Sequence, residues 1–521
     1  LPAIPRFVLL AALVVPAFAL ADEVSPPSAL VLTVDDAIDR ALAGNFGLRL
    51  ARHDVASAQS SLRGARNEFD FKLETAVSDN HAYFHRKPLD PFAPPPIARE
   101  SYLDDGQTID VSVVRNLEIG GSVALSTSLD RTVSHGAELD PLHSARTVAT
   151  WRVPILQGRG RRVATAGVVT AETGLRQQAR GLVEREMRLV ADVARAFYQV
   201  QRSEKVLAID KAAVARAEDD RHTYQLRLEE GLVTPIDVSR AERELKDRQN
   251  SVVTDEESLR AAGDRLMFAL GLPIDTPFEV AGEPAYAVAD VDLESAIDEA
   301  RSQRADLRTQ RENVELADLG ADVAKDGTRP KVDLAVSAGM SSPLGEEASK
   351  WAQVDHDDWL GGLSFAYTFG ERSDDEAYLR SRIAQDEAHI GLEELERQVV
   401  LDVRDAVRSV RSLERQVELL KDNVDLSRES LRLAKLQLEE NLIRTTDLLQ
   451  IQDELVRAET AQVNAVYDHA VARIELDLAL GRYRVGTDRI ASPFLQAKPS
   501  VVPDVPILPR ERLSSAPEAT P

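Results

Sequence analysis

The chain of 521 residues has no cysteine. Disulfides, thiolate metal sites and cysteine nucleophiles are therefore excluded, as is lipid attachment at an N-terminal cysteine. Aromatic residues make up only 5%, while charged residues reach 29% and Ala and Leu are abundant. Long helices packed side by side have this composition; compact aromatic cores do not. Positive charge is in deficit, with 63 Lys and Arg against 87 Asp and Glu and a net charge of −24, which argues against a nucleic-acid partner. No internal apolar run approaches the length of a membrane-spanning helix, and mean hydropathy is −0.25. If the protein crosses a membrane, strands must make the crossing.

At the N-terminus, Arg6 precedes the apolar stretch Phe7 to Leu20, and Ala19-Leu20-Ala21 has the small-x-small form of a cleavage site. Residues 1–21 are expected to be an export signal rather than an anchor, because the run is short and broken by Pro16. Losing them removes Arg6 and no acid, taking the net charge from −24 to −25.

What the chain does have is a copy of itself. Glu229-Glu230-Gly231-Leu232 and Asp237 return 210 positions later as Glu439-Glu440-Asn441-Leu442 and Asp447, and Ala269-Leu270-Gly271 returns as Ala479-Leu480-Gly481. Ala37-Ile38 and Ala41 return at Ala296-Ile297 and Ala300, 259 positions on, so the first copy holds about 49 extra residues in between. The duplication divides the chain into a signal peptide (1–21), an N-terminal segment and helix (22–66), a β region with an insertion (67–157), a long helical hairpin (158–271), a linker (272–290), a second helix (291–326), a second β region (327–371), a second helical hairpin (372–485) and a Pro-rich tail (486–521), expected to be extended or disordered.

Val34 to Arg66 reads as one helix, capped by Thr33 or Asp35. Gln107 to Val114 and Ser122 to Asp130 alternate apolar and small polar residues, with a turn at Gly120-Gly121, and Lys331 to Ala338 and Leu363 to Phe369 alternate likewise. That pattern suits a strand between lipid and a wet lumen, although a soluble hairpin with one buried face alternates too. His81 to Glu100, with five prolines, reads as a loop. A four-three spacing runs through Val399, Val403, Ala406, Val410, Leu413, Val417, Leu420, Val424, Ser427, Leu431, Ala434 and Leu438. In the first copy it runs from Leu189 to Leu228 with breaks at Ser203, Asp210 and Arg221. Sustained heptads predict coiled-coil rods, about 100 Å long for a helix from Thr165 to Glu230. Each rod turns and returns, with Gly231 and Asn441 suited to the left-handed cap and Pro235 to the first turn of the return helix.

These features, together with the junction Val153-Pro154-Ile155-Leu156 and the tip turns Glu230 to Asp237 and Glu440 to Asp447, resemble the TolC-like outer-membrane efflux proteins over Val34 to Tyr483. The resemblance implies a mainly α fold with β: a duplicated hairpin plus long coiled-coil helices, assembled as a homotrimer whose α-barrel joins an outer-membrane β-barrel. It implies contact with outer-membrane lipid, a periplasmic adaptor and an inner-membrane transporter, and use as the exit duct of a tripartite efflux or type I secretion system. The tip turns, Gly231, Leu232, Thr234, Asn441, Leu442 and Arg444, would meet those partners. Asp447 matches an acidic position at the family's periplasmic gate and Asp237 its counterpart in the first tip, while Gln450 stands where a second acid is common. At four strands per protomer, three protomers would remove every open sheet edge. The other reading is a periplasmic coiled-coil scaffold or adaptor.

Other constellations have plainer readings. Gln157-Gly158-Arg159-Gly160-Arg161-Arg162 lacks the Lys-Ser/Thr of a phosphate loop and reads as a strand-to-helix junction with a basic rim toward anionic headgroups. His81 and His85 lack a helix to align them on a metal, and Asp355-His356-Asp357-Asp358 lacks a calcium loop's spacing and reads as a solvated loop. Nothing forms a catalytic constellation, and no cofactor or metal is expected.

Overall fold

The computed structural model describes residues 30–85, 101–135, 141–284, 286, 288, 291–369, 373–440 and 442–482. The expected signal peptide, the proline-rich stretch 86–100, Asn441 and the Pro-rich tail lie outside them.

A short strand β1 (Leu30–Leu32) leads into α1 (Val34–Gly44). Thr33 is the cap: its Oγ1 accepts from Asp36 N–H at 3.2 Å, and Asp36 accepts back from Thr33 N–H at 3.3 Å. The expectation of one helix to Arg66 is corrected, because Asn45 (φ −62, ψ 129) separates α1 from α2 (Phe46–Arg66). Its Oδ1 accepts from Gly47 and Leu48 N–H while its Nδ2 donates to Ala269 O at 3.1 Å. A side chain that caps one helix and bonds another outcompetes helix continuation at that point.

Four strands follow: β2 (Lys72–His85), β3 (Ser101–Asn116), β4 (Ser122–His135) and β5 (Leu142–Pro154). Then come the short α3 (Arg161–Ala164), α4 (Ala166–Glu229), α5 (Pro235–Leu270) and β6 (Phe278–Val280), which pairs parallel with β1. The second copy gives α6 (Leu293–Gln303), α7 (Ala305–Gly327), β7 (Lys331–Ser341), β8 (His356–Ala366), α8 (Ser373–Glu439) and α9 (Thr445–Ala479). With 64 and 67 residues, α4 and α8 extend roughly 100 Å each. Among the described residues no helix is long and apolar enough to cross a membrane.

The six long strands form one sheet in the order β2-β3-β4-β5-β7-β8, with every long-strand pair antiparallel. The expected four strands are thus corrected to six, and the extra length of the first copy is a second hairpin. His81 to His85 belong to β2 rather than to a loop, opposite Asp105 to Ser101. The alternation in β2 gives way to Asp79 and His81 after Leu73, Thr75 and Val77, so its apolar signal covers only half the strand. His356 to Asp358, expected in a loop, open β8, and Asp358 accepts from Arg146 Nη2 at 2.7 Å across the sheet. The expected loop is thus a strand, while its solvation stands, since His356, Asp357 and Asp358 are all exposed. Tyr367 and Phe369 lie beyond the end of β8, in edge-to-face contact at 5.0 Å.

Register places like with like. One row crosses all six strands as Leu73, Val113, Leu125, Ala149, Ala338 and Trp359. On the opposite face lies the row Glu74, Ser112, Ser126, Val148, Gly339 and Asp358. One face is therefore largely apolar and the other largely small and polar, although Leu73 and Trp359 are 70% and 82% exposed.

The helices hold two equivalent cores. In the first copy, Leu32, Ala37, Ile38 and Ala41 pack with Val193, Phe197 and Val200 of α4 and Leu266, Met267 and Leu270 of α5. In the second, Ala296, Ala300 and Leu307 pack with Val399, Val403, Val407 and Val410 of α8 and Leu476 and Leu480. The duplicated Ala-Leu-Gly explains itself here. Gly271 ends α5 at φ 72, and a Cβ there would stand 2.7 Å from Gly44 O. Replacing Gly271 by Ala combines left-handed strain with a backbone collision and is expected to cost about 2–4 kcal/mol. Gly231→Ala has the same strain in open space and is expected to cost only about 1 kcal/mol. Urea unfolding of the two variants measures the difference, and equal losses would show that the contact with Gly44 is immaterial.

The strand-to-helix junction after β5 is locked by a side chain that carries no sequence motif. Asp326, buried at the end of α7, accepts from Gly158 N–H at 2.5 Å and pairs with Arg329 at 3.1 Å. The basic rim is matched by acids, Arg161 with Glu118 at 3.1 Å and Arg162 with Asp322 at 2.7 Å.

Candidate functional site at the helical tips

Both rods reverse in few residues, and both turns satisfy the carbonyls a helix end leaves open. In the first tip, Gly231 N–H donates to Leu228 O at 3.0 Å and Leu232 N–H to Arg227 O at 2.8 Å, with Gly231 at φ 75. In the second, Leu442 N–H donates to Gln437 O at 2.8 Å. Leu232, Ile236 and Leu442 are exposed here, at 55%, 64% and 74%.

The return helices begin with caps that use the duplicated acids. Asp237 Oδ2 accepts from Thr234 N–H at 3.0 Å and from Thr234 Oγ1 at 2.7 Å. These bonds from Thr234, side chain first, hold the Asp237 carboxyl below its usual range, helped by Arg240. Asp447 Oδ2 accepts from Arg444 N–H at 3.3 Å, and Gln450 Nε2 donates to Glu454 at 2.9 Å. The structure thus places Asp237 and Asp447 at the starts of two different helices, each bonded within its own turn, and Gln450 on an exposed face of α9. It describes no contact that joins the three.

A different set of residues ties the two hairpins together just above the tips. Gln452 of α9 donates to Asp220 of α4 at 2.6 Å. Arg227 donates from both terminal nitrogens to Leu438 O at 3.3 Å, meeting a carbonyl at the end of α8. Arg248 of α5 pairs with Asp453 of α9 and with its own helix's Glu244, and only 16% of its side chain is exposed. Tyr224 is 1% exposed, and burial pushes its hydroxyl up to about 12. Burial likewise raises the Asp220 carboxyl, against the lowering effect of Gln452. Higher up, Arg202 reaches Asp468 at 3.1 Å. Tyr224 falls in the heptad run from Leu189 to Leu228, but the sequence gave no sign of Asp220, Arg248, Gln452 or Asp453, because these partners are separated by more than 200 residues.

One polar break in the heptads forms a half-buried acid pair. Asp255 of α5 faces Asp210, the break, and its carboxyl is raised from 3.8 to about 6, first by burial and then by the Asp210 charge. A carboxyl raised in the folded state adds stability that is complete below the unfolded value and is lost as pH rises through the folded one. The first hairpin is therefore expected to lose stability as pH rises from 3.8 to about 6. Asp255→Asn should flatten that part of a melting-temperature profile, and an unchanged slope would assign the effect elsewhere. His469 in α9, 1% exposed, stands 3.8 Å from Glu414, and burial lowers its tendency to protonate.

Among the described residues no group of three or more His, Asp or Glu is arranged to hold a metal. What the geometry provides is an oriented sheet with an apolar face, standing on two pairs of rods tied together near their free ends.

Known proteins match this architecture. Among curated protein sequences none matches the chain. Among solved structures, the outer membrane protein VceC from Vibrio cholerae superposes with a TM-score of 0.65 at 17% identity, covering 86% of this chain and 96% of its own. The Campylobacter jejuni outer membrane channel CmeC superposes with a TM-score of 0.67 at 14% identity, covering 87% of each chain. The open state of the Neisseria gonorrhoeae MtrE outer membrane channel gives 0.60 at 16% identity, covering 86% and 88%. At these identities the likeness concerns the fold. The sequence profile of the outer membrane efflux proteins matches residues 122–272 and 296–482, most of the chain and both copies. With both halves of the duplication matched and the fold shared, this chain belongs to the outer membrane efflux protein family and is a protein of the cell outer membrane with a periplasmic helical domain.

Proposed function

We propose that three copies of this chain close into the exit duct of a tripartite efflux or type I secretion system, through which substrate passes passively across the periplasm and outer membrane. The observation that carries this reading is the six-stranded sheet with one apolar face, borne on paired rods about 100 Å long. A sheet with two free edges is not tolerated in lipid, and neighbouring copies supply the missing partners. The duct performs no chemistry and needs no cofactor; energy comes from an inner-membrane transporter. That transporter and a periplasmic adaptor engage the tips around Gly231, Leu232, Thr234, Asn441, Leu442 and Arg444, where exposed Leu232 and Leu442 offer apolar contact.

The gate lies at the same end. Asp237 and Asp447 keep the return helices wound to their first residues, Gln450 lies one turn beyond Asp447, and the bonds of Asp220, Arg248, Gln452 and Asp453 hold the hairpins together. Opening splays those hairpins between two packings. Asp447→Ala removes a cap and a negative charge and is expected to raise the resting ion conductance about fivefold, the equivalent of about 1 kcal/mol. The test of the whole reading is native mass spectrometry in detergent followed by planar-bilayer recording. A monomer, or a trimer that conducts no ions when the tips are unlocked, would end it. A normal trimer with unchanged Asp447→Ala conductance would remove only the gate.

A further inference from the structure

Among the described residues, the first copy contributes four strands to the large sheet where the second contributes two. The family profile begins in the second copy at Ala296, inside α6, but in the first only at Ser122, the first residue of β4. The hairpin β2–β3 thus falls outside the matched pattern, yet it is not an appendage. β3 pairs with β4 in unbroken register from Leu103 opposite His135 to Asn116 opposite Ser122, a longer ladder than β4–β5 or β5–β7. The β3–β4 turn is bonded into the base of the sheet: Leu117 N–H donates to Gly121 O at 2.9 Å, and Gly160 N–H to Ile119 O at 3.0 Å. The apolar row from Leu73 to Trp359 crosses the hairpin without a break. Exposure is concentrated on the two outer strands, with Lys72 to His81 of β2 and every residue of β8 except Gly362 exposed.

We infer that this chain builds a wall of eighteen strands, six from each of three copies, in which β8 of one copy pairs with β2 of the next. The inference rests on the trimeric duct proposed above and adds to it the width and the wall chemistry of the exit. An even number of antiparallel strands makes β2 and β8 run in opposite directions, so ring closure continues the same ladder. Only β5 and β8 lead on into long rods, α4 and α8, while β3 turns back at the rim. The sheet therefore gains a hairpin without gaining a rod. Diameter grows roughly linearly with strand number, so this wall is about 1.5-fold wider than one built from a single hairpin per copy half. Its inner face carries small residues such as Ser112, Ser126 and Gly339. Such an exit suits hydrated, polar cargo and leaves size selection to the rods below.

Because the chain has no cysteine, engineered cysteines report without background. Glu74→Cys on β2 is combined in turn with Leu360→Cys, Gly362→Cys or Ser364→Cys on β8, all on the polar face, and oxidised in outer-membrane vesicles. A second set replaces Glu74→Cys by Ser126→Cys on β4. Covalent trimers in the first set and none in the second are expected. Cross-linking of the second set would mean that β4 forms the edge and the hairpin stands outside the wall, which overturns the inference. A native trimer in which neither set cross-links overturns it equally, while leaving the duct intact; a native monomer overturns the duct itself. As an independent measure, excision of residues 71–120, whose ends lie on the same rim, should lower the polymer size admitted from the outer side about 1.5-fold in radius. An unchanged cut-off counts against the wider wall.

Discussion

Arg248→Glu is expected to open the duct proposed above. Arg248 sits between Glu244 on its own helix and Asp453 on α9, with side-chain exposures of 16%, 22% and 30%, so solvent screens the group only in part. Reversing its charge replaces two attractions by two repulsions at the place where the hairpins of one copy meet. Charge-assisted bonds of this kind contribute about 1.5–3 kcal/mol each. Losing one shifts a two-state gate by roughly tenfold or more in favour of the splayed form. Single-channel recording should show the resting conductance rising accordingly, while trimer mass and thermal stability of the sheet stay unchanged. The charge-swapped pair Arg248→Asp with Asp453→Arg should recover part of the closed level, because it restores the attraction across the hairpins while leaving the repulsion with Glu244. If Arg248→Glu conducts like the parent, the bond between α5 and α9 is structural decoration and the tips are held by other contacts.

Phe197→Ala is expected to be the most damaging single truncation in the first copy. Phe197 is 1% exposed and stands where β1, α1, α4 and α5 converge, among Leu32, Ile38, Val193 and Met267. Its removal leaves a cavity lined by rigid helices that cannot collapse, at a cost of about 3–5 kcal/mol. Phe197→Leu keeps most of the volume and should cost less than about 1.5 kcal/mol. The equivalent position of the second copy holds Val407, buried in its own cluster, so Val407→Ala should cost only about 1–2 kcal/mol. Chemical unfolding followed by circular dichroism measures all three. Similar losses for Phe197→Ala and Val407→Ala would mean that the two cores do not differ in the way their side chains suggest.

The same contrast runs through the molecule. Helical rods were legible because their signal is local and repeated: Val399, Val403, Val410, Val417, Val424 and Leu431 fall on one stripe, and all are buried. The sheet was half legible. The alternating runs in β3, β4 and β7 stood out, but β2 did not, since Asp79 and His81 occupy its apolar register and a proline-rich stretch follows. A one-residue cue, Asn45, divided a helix that periodicity alone would have continued.

The amino-acid sequence by itself determined the duplication, because like segments recur at a fixed offset, and the rods and the reversal at Gly231, because these depend on residues within a turn or a heptad of one another. Only the tertiary structure decided that six strands share one sheet, that Asp326 holds Gly158, and that Asp220 meets Gln452 and Arg248 meets Asp453. Those pairings join residues from 168 to 232 positions apart. No local period encodes such a distance; it is set by how two long hairpins lie against each other once their apolar stripes have been buried.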